Sequence, residues 1–270
     1  MKKETLKIKE SRLKSRLLEL EKVVVAFSGG VDSSFLLFMA YKVLGKNNVI
    51  AVTANSETYP EKELDAAIKF AKKYGIIHKI FSSCELSSIN QMGNPKDRCY
   101  YCKKELFSKL LSIAHENGFQ HVIEGSNKDD KKDYRPGRKA IKEFSIISPL
   151  FEAELKKEDI RILSKQEGLS TWNKPAYACL TSRFPYFKEI KKEALQMVEK
   201  AEAFLINIGF HQCRVRYFGD KAQVEVEKSK VKEALSQKDK IEGALKEIGF
   251  KVVIIDPAGY RTGRMNVFNS

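Results

Sequence analysis

Leu6, Leu13, Leu17, Leu18 and Leu20 recur among Lys, Arg and Glu over residues 5–20, the spacing of a helix with one leucine-rich face. Beyond it, short apolar runs alternate with longer amphipathic ones. Residues 23–27, 49–53, 76–81 and 121–124 predict strands, and residues 33–44, 61–74 and 103–117 predict helices. Strand followed by helix, repeated, predicts an α/β fold: a parallel sheet with helices on both faces, binding its ligands beyond the carboxyl ends of the strands. After Pro185 the pattern changes. A helix over 190–206, strands at 214–218 and 222–227 around the turn Gly219-Asp220-Lys221, helical residues 230–248 and an apolar strand at 251–256 predict a smaller C-terminal α+β domain. The expected domains are residues 1–185 and 186–270.

With 270 residues, 43% of them hydrophobic, the chain can bury a core of this size. Its first residues, Met1-Lys2-Lys3-Glu4, open no apolar run suited to export, and no stretch approaches a membrane span, so a cytoplasmic protein without a membrane partner is expected. The 49 Lys and Arg against 35 Asp and Glu leave a net charge of +14, which raises the local concentration of anions. Nucleic acid is one candidate partner. Segments such as Lys156-Lys157-Glu158-Asp159, however, interleave bases with acids and read as solvated helix faces, and no aromatic-basic stripe of the single-strand-binding kind is present. Nucleic acid is therefore not the expected partner.

Chemistry concentrates first at Val23-Val24-Val25-Ala26-Phe27-Ser28-Gly29-Gly30-Val31-Asp32-Ser33-Ser34. Two glycines between a buried strand and a helix let backbone amides approach an anion, the helix start adds partial positive charge, and Ser28, Ser33 and Ser34 add hydroxyl donors. The Gly-Lys-Ser/Thr ending of the Walker loop is missing, so transfer of a γ-phosphoryl group is not indicated. The turn resembles instead the PP-loop of the N-type ATP pyrophosphatases, Ser-Gly-Gly-x-Asp-Ser. That resemblance implies ATP, adenylation of a substrate oxygen with release of pyrophosphate, and Mg2+ organised on the phosphates by Asp32. It also places Thr53, at the end of the second strand, beside the adenine.

Five cysteines is an odd count, and Cys99-Tyr100-Tyr101-Cys102 sets two at chelating distance where a helix begins, near Arg98 and Lys103. Cys179 lies in a further loop, residues 174–185. Three thiolates suit a [4Fe–4S] cluster with one iron lacking a protein ligand. Zinc with a fourth ligand, or an inert pair plus a buried thiol, are the competing readings. Cys84 and Cys213 have no partner at ligand spacing and read as inert.

Taken together these segments resemble the LarE family, the ATP-dependent pyridinium-3,5-biscarboxylic acid mononucleotide sulfurtransferases of nickel-pincer nucleotide biosynthesis. The resemblance is carried by the PP-loop and residues 98–107, and by Gly125-Ser126-Asn127-Lys128-Asp129-Asp130, Asp133-Tyr134-Arg135-Pro136-Gly137 and Ser148-Pro149-Leu150. The Cys179 loop, Arg214-Val215-Arg216 and Gly259-Tyr260-Arg261 complete it. It implies that a substrate carboxylate attacks the ATP α-phosphorus and that a sulfur nucleophile then displaces AMP. In one branch of the family a single cysteine at the position of Cys179 gives up its own sulfur. In another, three cysteines hold an iron–sulfur cluster, and Cys99, Cys102 and Cys179 place this chain there. The resemblance also implies a homo-oligomer.

Arg183, Arg214 and Arg216 are the candidate cations for phosphate and carboxylate, with Ser182 as a hydroxyl donor, because a guanidinium fork matches both anions. The resemblance puts the substrate's phosphate near Arg214 and Arg216. Cys179, Asp32 and Arg183 form the expected catalytic set, while Glu202, Asp220 and Glu225 are candidate metal-assisting acids; Asp129, Asp130 and Arg135 read either as contacts to substrate or the cysteine-bearing loops or as an ordinary solvated turn. Two other functions remain open: tRNA thiolation by an enzyme of the same superfamily, and a non-catalytic nucleotide-binding or iron–sulfur module.

Overall fold

The computed structural model describes residues 2–132, 137–175 and 178–261. Residues 133–136 and 176–177, with the candidate Arg135 among them, lie outside the described residues. The chain divides into two compact units, one of residues 1–56, 61–85 and 97–176, the other of residues 57–60, 86–96 and 177–270.

The first unit holds α1 (Lys2–Leu20), β1 (Val23–Ala26), α2 (Val31–Leu44), β2 (Val49–Asn55), α3 (Glu61–Tyr74) and β3 (Ile77–Ser82). After α4 (Glu85–Gln91), which passes into the second unit, it continues with α5 (Arg98–Glu116), β4 (His121–Ile123), α6 (Gly137–Glu143), α7 (Pro149–Glu152) and α8 (Lys157–Gln166). The strands run in the order β3-β2-β1-β4 and all pair in parallel. This is the predicted parallel α/β sheet. Val23, Val24 and Val25 are fully buried, as the middle of a sheet covered on both faces requires. On one face Leu13 and Leu17 of α1 pack with Phe35, Leu36 and Met39 of α2; on the other, Val24 and Val52 meet Phe107 and Leu110 of α5. Burying each such side chain stabilises the fold by roughly 1.5–3 kcal/mol.

Strand order reverses around β1, so the turn after β1 and the turn after β4 lie side by side at the carboxyl edge, the place where such sheets take ligands. The helix α5 begins at Arg98, earlier than the periodicity predicts, and takes Cys99 and Cys102 into its first turns.

The second unit carries α9 (Lys192–Asn207), β5 (Cys213–Phe218), β6 (Lys221–Val226), α10 (Val231–Ser236), α11 (Lys238–Ile248) and β7 (Val252–Ile255). The hairpin β5-β6 is antiparallel and β7 adds in parallel to β6. Helix 230–248 of the prediction is broken in two at Gln237. The sequence boundary at residue 186 also differs from the grouping observed, which starts at residue 177 and draws in 57–60 and 86–96. Asn94 explains part of this. It is fully buried with a left-handed backbone (φ 49°), its Nδ2 donates to the carbonyls of Pro185 and Lys188, and its own carbonyl accepts from the Phe187 amide. Asn90 makes a reciprocal pair with the Ile190 backbone. Among the described residues no helix is long and apolar enough to cross a membrane.

Candidate active site

The turn between β1 and α2 is built around Gly29 and Gly30. Gly29 has φ 61°, and a Cβ there would stand 3.3 Å from the Cβ of Ala67 on α3, so both its conformation and its space require glycine. Within the turn the Ser28 amide donates to Ser33 Oγ at 3.3 Å, and the Ser28 and Ser33 hydroxyls share a bond of 3.1 Å. Ser34 is fully buried, and its Oγ has no hydrogen-bond partner among the described residues. The same is true of Oδ1 of Asp32, while its Oδ2 accepts from the Lys157 ammonium at 2.5 Å. Burial pushes the Asp32 carboxyl above its ordinary range, against the pull of Lys157; the nearby Asp130 pushes the same way. Two unmet buried polar atoms beside a glycine turn at a helix start form a site able to take an anion and an oxygen-preferring cation.

Lys157 was expected on a solvated helix face, and here the structure corrects the sequence reading. Its neighbours explain why. The turn after β4 packs so tightly that a Cβ on Gly125 would lie 3.0 Å from the Ser33 amide nitrogen. From there residues 126–130 form a bonded loop: Ser126 and Ser148 donate to the Glu124 carboxylate, the Asn127 amide donates to Asp130, and the Lys157 amide donates to Asp129 Oδ2 at 2.9 Å. Asp129 thus sets the start of α8 beside the turn. Lys174 is a second cation that the sequence reading passes over. It donates to the Gly29 carbonyl at 2.9 Å and pairs with Glu63 at 2.6 Å. Arg161 fixes that stretch by donating to the carbonyls of Trp172 and Lys174. A glycine after a strand and acids four and five residues on were the only sequence signals for this arrangement.

Thr53 is 2% exposed, and its hydroxyl donates to the Phe27 carbonyl at 2.7 Å and bonds His78 Nε2 at 2.8 Å. It braces the end of β1 from within.

Cys99 is exposed and Cys102 half-buried, one helical turn apart on α5. Lys103, expected beside them, instead reaches Glu124 at 3.7 Å and lies over the Phe107 ring; Arg98 is buried. Cys99 and Cys102 belong to the first unit and Cys179 to the second. Among the described residues no group of three or more His, Cys, Asp or Glu side chains stands together as a metal site.

In the second unit Cys179 is exposed, with Sγ bonding Thr181 Oγ1 at 3.2 Å. The turn that carries it is held by Arg183. This guanidinium is fully buried: Nη1 donates to the carbonyls of Ala178 and Cys179 and to Ser182 Oγ, while Nε and Nη2 fork onto Glu202 at 2.8 and 2.7 Å. Arg183 is thereby a positioning residue and Glu202 its counter-ion, which also accepts from the Val215 amide. Desolvated charges of this kind must be paired, and here the two are paired with each other. Arg216 is likewise paired with Glu225 and donates to the Ser182 carbonyl at 2.9 Å. Arg214 is 6% exposed and lies over the Tyr260 ring at 5.2 Å. That ring is delivered by Gly259, whose φ of 67° and 3.0 Å approach to the Lys228 backbone exclude a side chain. Asp220, the third candidate acid, is exposed on the hairpin and pairs with an exposed Lys251.

Cys213 is inert, as expected. It is 2% exposed, and burial, with Glu202 adding to it, pushes its thiol up to about 12. Against the ordinary value of 9.0, this lowers its thiolate fraction at pH 8 by about a thousandfold. Iodoacetamide at pH 8 should therefore label the exposed Cys84 and leave Cys213 unmodified until the chain is denatured, as read by peptide mass spectrometry. Equal native labelling of the two would contradict the burial.

A parallel sheet with the Ser28–Ser34 turn at the carboxyl end of its central strand defines an ATP-using enzyme of the PP-loop class, and residues 5–97 match the NAD synthase family model. The chain is 40% identical over 262 residues to the pyridinium-3,5-bisthiocarboxylic acid mononucleotide synthase of Lactiplantibacillus plantarum, covering 97% of this chain and 95% of that protein. It is also 39% identical over 250 residues to an uncharacterized Synechocystis protein (92% of this chain, 93% of that one) and 31% identical over 254 residues to one of Methanocaldococcus jannaschii (93% and 96%). The chain belongs to the family of the pyridinium-3,5-bisthiocarboxylic acid mononucleotide synthases, the LarE family, and is an ATP-dependent sulfurtransferase.

Proposed function

We propose that this enzyme adenylates a carboxylate of pyridinium-3,5-biscarboxylic acid mononucleotide, releases pyrophosphate, and inserts sulfur to give a thiocarboxylate for nickel-pincer cofactor synthesis. The observation that carries the reading is the match to the synthase, which runs through both units and includes the glycine turn and the Cys179 turn. In this reading the amides and hydroxyls of Ser28, Gly29, Gly30, Ser33 and Ser34 hold the phosphates. The unmet Oδ1 of Asp32 fits Mg2+, an oxygen-preferring ion, and Asp32 would hold it there.

A free carboxylate is a poor electrophile. Its oxygen attacks the α-phosphorus, the bond to the β-phosphate oxygen breaks, and pyrophosphate leaves with the displaced electron pair. A sulfur nucleophile then attacks the acyl carbon and AMP departs. Arg214, backed by Tyr260, is the guanidinium we assign to the substrate's phosphate, with Arg216 fixing the carbonyl of Ser182 behind it. Because the Ser182 hydroxyl accepts from Arg183, its own proton is left to donate to a developing oxyanion.

The source of the sulfur we assign to a [4Fe–4S] cluster on Cys99, Cys102 and Cys179. Their chemistry fits the group: three thiols, two of them a helical turn apart and two exposed. When bound, such a cluster supplies a sulfide at the iron that no cysteine holds. Anaerobically purified protein should contain iron and labile sulfide; their absence would overturn this assignment. Dehydroalanine at residue 179 after turnover, seen as loss of the mass of hydrogen sulfide, would move the source to Cys179 itself. The reaction is tested by pyrophosphate release with ATP and Mg2+. The dicarboxylated pyridinium mononucleotide should stimulate it and tRNA should not, and the reverse would place the enzyme in tRNA thiolation.

A further inference from the structure

Lys157 has no part in the reading above, yet its ammonium stands on the acid that the reading gives to Mg2+. Three observations bear on what it does there. Among the described residues only half of the Asp32 carboxylate is engaged: Oδ2 meets Lys157 Nζ at 2.5 Å while Oδ1 is buried without a hydrogen-bond partner. The backbone beneath Lys157 is fixed: its amide donates to Asp129 Oδ2 at 2.9 Å, the Lys156 amide donates to Asp159 Oδ2 at 3.0 Å, and the Lys128 amide reaches the Leu155 carbonyl at 2.8 Å. The side chain above this mount is not enclosed, being 32% exposed, and carries a flexible four-carbon stem.

We infer that Lys157 is an exchangeable counter-ion of the phosphate site. Without nucleotide it neutralises Asp32, which otherwise leaves a half-buried negative charge, with Asp130 nearby, where a triphosphate must enter. When a metal-bound nucleotide occupies the turn, the carboxylate passes to the metal and the ammonium to the phosphate oxygens. The charge count supports the exchange. Asp32 keeps a cation throughout, and the ammonium leaves one anion for another within the sweep of a lysine stem. The fixed start of α8 keeps that sweep centred on the turn. Lys157 is thus a positioning residue with two partners in succession, Asp32 and the phosphate oxygens.

This inference rests on the turn being the ATP site, and calorimetric titration with α,β-methylene-ATP tests the two separately, since that analogue is not cleaved at the α–β bridge. In EDTA, Lys157→Met should weaken binding at least about tenfold, the loss of one charge-assisted contact together with exposure of Asp32 to the phosphates. At saturating analogue, the Mg2+ concentration for half-saturation should fall severalfold in the same variant, because the ammonium no longer competes for Asp32. Lys157→Arg, which keeps a cation in place, should stay within about threefold of wild type in EDTA. Opposite shifts for nucleotide and metal are the signature, since a damaged fold would weaken both. Unchanged affinities in Lys157→Met, or a parallel loss of both, would overturn the role of Lys157 and leave the ATP site standing. No binding by the wild-type protein would overturn both.

Discussion

A Cys179→Ala protein is expected to release pyrophosphate from ATP and substrate at a rate within a few-fold of wild type while forming thiocarboxylate at least about a thousandfold more slowly. The separation follows from how the turn is made. Arg183 grips it through the carbonyls of Ala178 and Cys179 and through Ser182 Oγ, so removing Sγ leaves every one of those bonds intact. The Ser28–Ser34 turn lies in the other unit and has its own scaffold. Mass spectrometry of the small molecules alongside a pyrophosphate assay measures both halves in one sample. Thiocarboxylate formed at the wild-type rate would remove Cys179 from the reaction, and parallel loss of pyrophosphate release would show that the turn also builds the adenylation site.

Glu202→Ala should destabilise the protein by about 3–5 kcal/mol, the range for taking one partner from a buried ion pair. The change strips both forked bonds from a fully buried Arg183 and the acceptor from the Val215 amide. Asp220→Ala serves as the contrast. Its ion pair with Lys251 joins side chains 68% and 77% exposed, so no measurable change is expected. Urea denaturation of the two variants decides the matter, and equal midpoints would mean that the fork contributes nothing. Glu202 and Asp220 looked alike as candidate metal-assisting acids in the sequence. They differ because one is desolvated against an arginine and the other sits on a hairpin turn.

That contrast marks where sequence reasoning reaches and where it stops. Apolar runs find β1 to β4 and α2 to within a few residues, and β1, buried on both faces, has to be written in residues such as valine. The Ser28–Ser34 turn was legible for a related reason: few arrangements other than an anion site need two glycines and three hydroxyls between a buried strand and a helix. Periodicity says which face is buried and not against what. The segments at 57–60 and 86–96 therefore gave no sign that they group with the C-terminal unit, and Asn94, whose three bonds to residues 185–188 help tie the second of them there, looks like any loop asparagine. Long charged side chains are the other blind spot. Composition places them in water, yet Arg183, Arg214 and Arg216 are buried, and Lys157 faces Asp32 because Asp129 holds the backbone beneath it.

The close approach of Gly125 to Ser33 has a mechanical side. Where two segments meet through side chains, a rotamer can turn and absorb a small displacement. Here backbone meets backbone, with only a hydrogen where a Cβ would sit 3.0 Å from an amide nitrogen. The first turn of α2 and the loop after β4 are in effect one stiff joint. The same loop is bolted to α8 by Asp129. A displacement of one segment therefore has no rotamer to absorb it before it meets the backbone of the other.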